Sequence, residues 1–315
     1  MYIGIDIGGT GIKAGLVDDK YNIIAKDSIP TPKDEYTNFV DGIIALAEKV
    51  ASMGGYNLSD INSIGIGCPG SVDDKKGVVT YSNNLGFSGM SLGPDITEKT
   101  GLPVYLGNDA NCAALGEFYA LEEDVDNFVA ITLGTGVGSG VVINKKLYTG
   151  FNGAAGELGH ILMKADGEPC TCGRKGCWEA YASATALIRE IEKAAKENPA
   201  SCVASLVAGN DGKATGKIAF DAVDAGDKVA KEVVDNYILA VADGIVDVIN
   251  IFQPEVVVIG GGVSHAGERL IAPIREHVKR YAYGCADGVP IGDVRLAKLG
   301  NDAGIIGAAL LGLGK

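Results

Sequence analysis

Three thiols fall within eight positions of this chain, in Cys170-Thr-Cys172-Gly-Arg-Lys-Gly-Cys177-Trp-Glu179, with glycines between them. His160, one of three histidines, stands shortly upstream in Gly156-Glu157-Leu158-Gly159-His160. Three thiolates and one imidazole make the full ligand set of a closed tetrahedral zinc site. The plain alternative is half-buried thiols or disulfide partners. Disulfide frameworks suit short secreted chains with even cysteine counts, whereas this chain has 315 residues and seven cysteines. It opens Met-Tyr-Ile-Gly-Ile-Asp, without the basic and apolar regions of a signal peptide. Cys68, Cys112, Cys202 and Cys285 are scattered and read as small core residues. The spacing therefore predicts a structural zinc ion on His160, Cys170, Cys172 and Cys177. That staple would pin Glu157 and Glu179 close together as one wall of a polar binding site.

A second group of residues has the types needed to hold phosphate. The N-terminal run Asp6-Ile-Gly8-Gly9-Thr10-Gly11-Ile-Lys13-Ala-Gly15 is matched far downstream by Thr132-Leu-Gly134-Thr135-Gly136-Val-Gly138-Ser139-Gly140. Each copy is an apolar strand, a Gly-Thr-Gly turn and a second apolar strand, the pattern of a β-hairpin. The dinucleotide fingerprint and the Walker loop both feed a helix, so neither is present. Converging N–H groups of such turns bind phosphate oxygens, and glycine permits the close approach. Gly8, Gly9, Thr10, Gly134, Thr135, Gly136 and Gly138 are the candidates. Lys13 either adds charge to that pocket or is a solvated strand-edge lysine. Asp6 projects from a strand end into the first turn, where a capping carboxylate would also sit. Asp109, in Gly107-Asn108-Asp109-Ala-Asn111, stands where an apolar strand gives way to a helix, and reads equally as a helix cap or a general base. Gly260-Gly261-Gly262-Val-Ser264 follows a buried strand; it either lets backbone approach a nucleotide or is only a tight turn.

These residues need elements to position them. Phe39, Val40, Ile43, Ile44, Leu46, Ala47 and Val50 recur at helical spacing and predict a helix over 36–53. Strands are predicted over 22–29, 61–67 and 104–107, and helices over 94–100 and 109–120. Beyond the cysteines the pattern predicts helices over 179–197, 226–251 and 266–281, a strand entering Gly260, and a small-residue helix from Asp302. Hairpins followed by strand–helix units, twice over, predict two related α/β domains with ligands in the cleft between them. The first would span 1–108, completed by a C-terminal helix at 301–315. The second, over 109–300, would carry the zinc motif and the Gly260 turn. The net charge of −13 disfavours a nucleic-acid partner. No apolar run reaches the roughly 18 residues of a membrane span, so no membrane partner is expected. Free cysteines without a targeting segment point to the cytoplasm.

Taken in order, Asp6-x-Gly-Gly-Thr10, Asn108-Asp109, Gly134-Thr-Gly-Val-Gly138, Glu157-x-x-His160, Cys-x-Cys-Gly-x-x-Gly-Cys-x-Glu and Gly260-Gly-Gly-Val-Ser264 resemble the ROK family of sugar kinases over essentially the whole chain. That resemblance implies the two-domain actin/hexokinase/Hsp70-like ATPase fold, with duplicated ribonuclease H-like domains. It implies ATP as cosubstrate, Mg²⁺ held with help from Asp6, adenosine near Gly260, Gly261, Gly262 and Ser264, and Asp109 as general base. Gly70, Asn84, Asn108, Asp109, Glu157, His160 and Glu179 are implied to bind the sugar, with Asn83 competing with Asn84; Trp178 is expected to pack. Glucose is the leading substrate. N-acetylglucosamine, N-acetylmannosamine or fructose are alternatives, and a polyphosphate-dependent enzyme is disfavoured by the lack of a basic track. A sugar-sensing regulator is disfavoured because the chain opens at the first hairpin, with no helix-turn-helix segment before it. A homodimer or homotetramer is implied.

Overall fold

The computed structural model describes residues 1–82, 85–87 and 89–313. In chain order the elements are β1 (Tyr2–Ile7), β2 (Gly11–Val17), β3 (Ile23–Pro30), α1 (Tyr36–Met53), β4 (Ser63–Cys68), β5 (Ser71–Asp73), β6 (Val78–Tyr81), α2 (Leu92–Thr100), β7 (Val104–Asn108) and α3 (Asp109–Tyr119). There follow β8 (Phe128–Leu133), β9 (Val137–Ile143), β10 (Lys146–Leu147), α4 (Glu179–Ala182), α5 (Ala184–Glu197), α6 (Cys202–Ala208), α7 (Gly216–Asp224) and α8 (Lys228–Phe252). The chain ends with β11 (Val256–Gly260), α9 (Glu268–Tyr281), β12 (Asp293–Leu296) and α10 (Ala303–Leu310). It divides into two units, one of Met1–Asp124, Gly140–Gly156 and Lys298–Lys315, the other of Val125–Ser139 and Glu157–Ala297.

In the first unit, β3-β2-β1-β4-β7 form a mixed sheet. β1 and β2 are an antiparallel hairpin, with Ile7 opposite Ile12, while β1, β4 and β7 run parallel. Every residue of β4 is buried, as befits a strand covered on both faces. α1 buries Phe39, Val40, Ile43, Leu46, Ala47, Val50 and Ala51, so the period-3.6 stripe read in the sequence is its core face. α10 lies backbone to backbone on the sheet. A Cβ at Gly4 would stand 1.8 Å from the Ile305 carbonyl oxygen, and one at Gly65 would stand 1.7 Å from that of Ala308. Only glycine admits such an approach.

The second sheet has the order β10-β9-β8-β11-β12. β8, β11 and β12 are parallel, with Gly260 opposite Thr132. Helices α4 to α9 belong to the second unit. The helix predicted over 179–197 is two helices. Ser183 between them is extended, and its hydroxyl accepts the Ala186 N–H at 3.1 Å, so it starts α5 as an N-cap. α6 and α7 fall in a stretch that the periodicity left without elements, as do β5, β6, β10 and β12.

Candidate functional site

In the first unit the candidates gather at the carboxyl ends of three adjacent parallel strands. Asp6 pairs with Gly67 across β1 and β4, and Cys68 with Asn108 across β4 and β7. Such an edge is where open α/β sheets bind ligands. The first glycine turn is closed by its own backbone, Gly8 N–H to Gly11 O at 2.9 Å. The Thr31 hydroxyl braces it from β3's end by donating to Gly8 O at 2.7 Å. The sequence reading missed Thr31, which sits in no motif. Lys13 Nζ stands 4.0 Å from the Asp6 carboxylate. Burial raises the Asp6 pKa above its ordinary 3.8, Lys13 opposes this, and Asp109 adds to it.

Asp109 is the first residue of α3, and Asn108 is its N-cap, accepting the Asn111 N–H at 3.1 Å. The capping role therefore falls to Asn108. One Asp109 oxygen accepts the Ala110 N–H at 2.9 Å. Burial raises its pKa, against the Ala110 and Asn108 contacts that lower it. A carboxylate with raised proton affinity at a sheet edge has the properties of a general base. The Asn108 side chain donates to Gly70 O at 3.2 Å, and Gly70 has φ +105°, so these two sugar candidates touch. Asn84 and its neighbour Asn83 lie outside the described residues.

In the second unit the Gly134 turn closes through Gly134 N–H to Gly136 O at 3.0 Å. It leads out of β8, beside the β11 strand that ends in Gly260, so the second glycine turn and Gly260-Gly261-Gly262 issue from neighbouring parallel strands. Gly261 has φ +85°, and a Cβ there would stand 2.5 Å from Leu133 O. The Ser264 hydroxyl donates to Gly261 O at 2.7 Å and closes that turn.

His160, Cys170, Cys172 and Cys177 converge, with ligand atoms all within 4.8 Å of one another. Cys170 Sγ is 3.6 Å from His160 Nδ1, and Cys172 Sγ is 3.7 Å from Cys177 Sγ. Tetrahedral zinc with sulfur at about 2.3 Å and nitrogen at about 2.0 Å sets its ligand atoms about 3.5 to 3.8 Å apart. The four residues therefore fit such an ion, with Nδ1 as the histidine atom turned to the thiols. Trp178 is fully buried, donates to Ala240 O at 2.8 Å and packs on Gly244, where a Cβ would stand 2.0 Å from its ring.

Glu179 follows the cluster and opens α4. One carboxylate oxygen accepts the Val137 N–H at 3.0 Å; the other stands 3.4 Å from the Thr171 hydroxyl and 3.6 Å from Cys170 Sγ. This bond to the second hairpin was not legible in the sequence. Glu157 precedes the 3₁₀ turn Leu158–His160, which is anchored by the Leu158 N–H to the Ser139 hydroxyl at 3.1 Å.

The mixed sheets, the paired glycine hairpins and the carboxylate-bearing strand ends define an actin/hexokinase-like sugar kinase fold. The family model for the ROK family matches residues 2–315, and the chain belongs to that family. It is 40% identical to a glucokinase of Halalkalibacterium halodurans, over 98% of this chain and 94% of that one. It is 33% identical to an N-acetyl-D-glucosamine kinase of Photobacterium profundum, over 100% of both. A ROK family glucokinase from Streptomyces griseus, solved with glucose and AMPPNP, superposes with a TM-score of 0.83 at 37% identity, covering 98% of each chain. Among the described residues, no helix is long and apolar enough to cross a membrane.

Proposed function

We propose that this chain is an ATP-dependent glucokinase, moving the γ-phosphoryl group of ATP to the 6-hydroxyl of glucose. The observation that carries the reading is Asp109, a half-buried carboxylate of raised proton affinity at the start of α3, in a chain so similar to glucokinases. Asp109 takes the proton of the attacking hydroxyl, late in the transfer. Asn108, Gly70, Glu157, His160 and Glu179 bind sugar hydroxyls, and Asn84 is assigned there by the family pattern alone. A carboxylate offers about four acceptor sites, so Glu179 has capacity left beyond Val137. The Gly8-Gly9-Thr10 and Gly134-Thr135-Gly136 turns, with Gly138, orient phosphates through their N–H groups. Gly260, Gly261, Gly262 and Ser264 lie along the adenosine. Asp6, with Lys13 nearby, would help to hold Mg²⁺, which when bound neutralises phosphate charge. His160, Cys170, Cys172 and Cys177 would hold a structural zinc ion. A homodimer or homotetramer in the cytoplasm accompanies this reading.

The similarity to an N-acetylglucosamine kinase supports a second reading, the same chemistry on another hexose. A panel of glucose, fructose, N-acetylglucosamine and N-acetylmannosamine with Mg-ATP and coupled ADP detection tests both. Turnover greatest with glucose is expected. Turnover greatest with an acetylated sugar would replace the first reading by the second, and none with any sugar would end both.

A further inference from the structure

Glu117 lies on α3, the helix that Asp109 begins, and is 5% exposed. Its two carboxylate oxygens accept two consecutive backbone N–H groups, Lys298 at 2.9 Å and Leu299 at 2.8 Å. These are the first residues of the first unit after the chain leaves the second at Ala297. They lead through the 3₁₀ turn Gly300–Asp302 into α10. α10 has no slack against its surroundings. A Cβ at Gly116 would stand 2.3 Å from Ala303 O, and one at Gly307 would stand 1.6 Å from Cys112 O. The first turn of α10 backs Asp6 itself: a Cβ at Gly304 would lie 3.0 Å from the Asp6 carboxyl carbon and 3.3 Å from each of its oxygens. A continuous run of tight contacts thus joins Glu117 to the seat of Asp6.

We infer that Glu117 is a positioning residue for Asp6: by clamping Lys298 and Leu299 it fixes where the first turn of α10 stands, and so where the Asp6 carboxylate points. The inference, which rests on the kinase reading, deepens it by adding a residue that contacts neither substrate. A carboxylate bonded to two N–H groups is stronger than two neutral bonds. Glutamine has one acceptor oxygen, and its amide hydrogens would face the second N–H donor, so Glu117→Gln undoes half the clamp without removing volume. Misplacing a catalytic group by about 1 Å costs on the order of a hundredfold in rate, and a partial release should cost about tenfold.

The experiment compares wild type, Glu117→Gln, Asp6→Asn and the double variant in steady-state glucose phosphorylation. Amide hydrogen exchange over 298–305 is measured on each. Glu255→Gln serves as control: this exposed glutamate accepts the Asp126 and Asn127 N–H groups in the second unit. Glu117→Gln should lower kcat about tenfold with glucose KM within twofold, and speed exchange over 298–305. Glu255→Gln should leave kcat within twofold. In the Asp6→Asn background the added loss from Glu117→Gln should shrink to within twofold, because two changes acting through one seat are not additive. A loss that stays tenfold in that background, or an unchanged kcat in Glu117→Gln, overturns the inference. If Glu117→Gln fails to fold, Gly304→Ala presses on the same seat from the other end and should lower kcat at constant glucose KM; unchanged kcat there overturns it too. A wild type that phosphorylates no sugar defeats the kinase reading instead, while unaltered exchange in Glu117→Gln would separately defeat the clamp.

Discussion

The two glycine hairpins share a Gly-Thr-Gly turn and are held by different means. The first is braced by its own sheet: Gly11 closes it, and the Thr31 hydroxyl donates to Gly8 O at 2.7 Å. The second is braced by the segment that follows the thiol cluster. The Ala184 N–H donates to Gly134 O at 2.8 Å, the Thr185 hydroxyl to Thr135 O at 2.7 Å, and Glu179 accepts the Val137 N–H at 3.0 Å. Glu179 in turn touches Cys170 and Thr171. The bonds that brace the first glycine turn thus come from its own unit, while the second turn is linked to the Cys/His cluster by the Glu179 carboxylate, beside the Leu158–Ser139 bond. A turn read from sequence as a repeat carries no information about its support.

The largest expected effect lies in the first unit. Asp109→Asn should lower glucose phosphorylation by about a thousandfold, within the range general bases contribute, and should leave glucose binding nearly intact. Its effect on stability has the opposite sign. Burial raises the Asp109 pKa in the fold, so the native state holds a proton that the unfolded chain releases. The stability this group contributes is full below its unfolded value of about 3.8 and is lost as pH rises through the folded value. At pH 7 the neutral amide should therefore raise the thermal midpoint, read by calorimetry beside the assay. A variant that keeps its rate would dismiss Asp109 as the base. The same carboxylate predicts an acid limb of kcat/KM displaced above 3.8, and a limb at or below that value would contradict the burial argument.

The next effect separates the hairpins directly. Cys172→Ser, or prolonged chelation, should remove about one zinc per chain, lower the thermal midpoint, and raise KM for both glucose and ATP about tenfold. Amide exchange should quicken over 134–138 and stay unchanged over 8–11. Freshly purified protein without zinc would refute the staple, and equal loosening of both turns would refute the comparison. A smaller and more local break is Gly136→Ala, whose Cβ would stand 2.3 Å from Glu179 Oε2, whereas Gly8→Ala places its Cβ 3.1 Å from Gly11 O. Gly136→Ala should raise the ATP KM severalfold more than Gly8→Ala. The reverse order would show that the carboxylate moves freely and braces nothing.

What the sequence made legible follows from how tightly chemistry limits residue types. Few residues other than His160, Cys170, Cys172 and Cys177 could stand in for one another around an ion, so their clustering could be read before their contacts were known. Strands buried on both faces, such as β4, and the long stripe of α1 were visible for the same reason. α6 and α7 were not, because seven and nine residues carry too short a stripe; their caps, Ser201 and Thr215, were the available signal. β12 is four residues, two of them charged, and Ser183 breaks a helical pattern that is otherwise continuous. The carboxylate bonds of Glu117 and Glu179 join residues 181 and 42 positions apart, and nothing local marks them.

The smallest expected effect concerns a feature of the first hairpin, a cation beside its carboxylate. Lys13 is paired with Asp6 across β1 and β2, and its Nζ stands 4.0 Å from the carboxylate with the side chain 47% exposed. At that exposure, water and salt screen the pair, and such contacts stabilise folds by under about 1 kcal/mol. Lys13→Met should therefore leave the thermal midpoint within a degree or two. Its influence on Asp6 is larger in kind, because Lys13 opposes the burial that raises the Asp6 pKa. Without the lysine, Asp6 should hold its proton to higher pH, and the half-maximal Mg²⁺ concentration for turnover should rise a few-fold, most clearly in acid. A Mg²⁺ requirement unchanged from pH 5.5 to 8 would make Lys13 a solvated strand-edge residue, and the two hairpins would then differ only in what braces them.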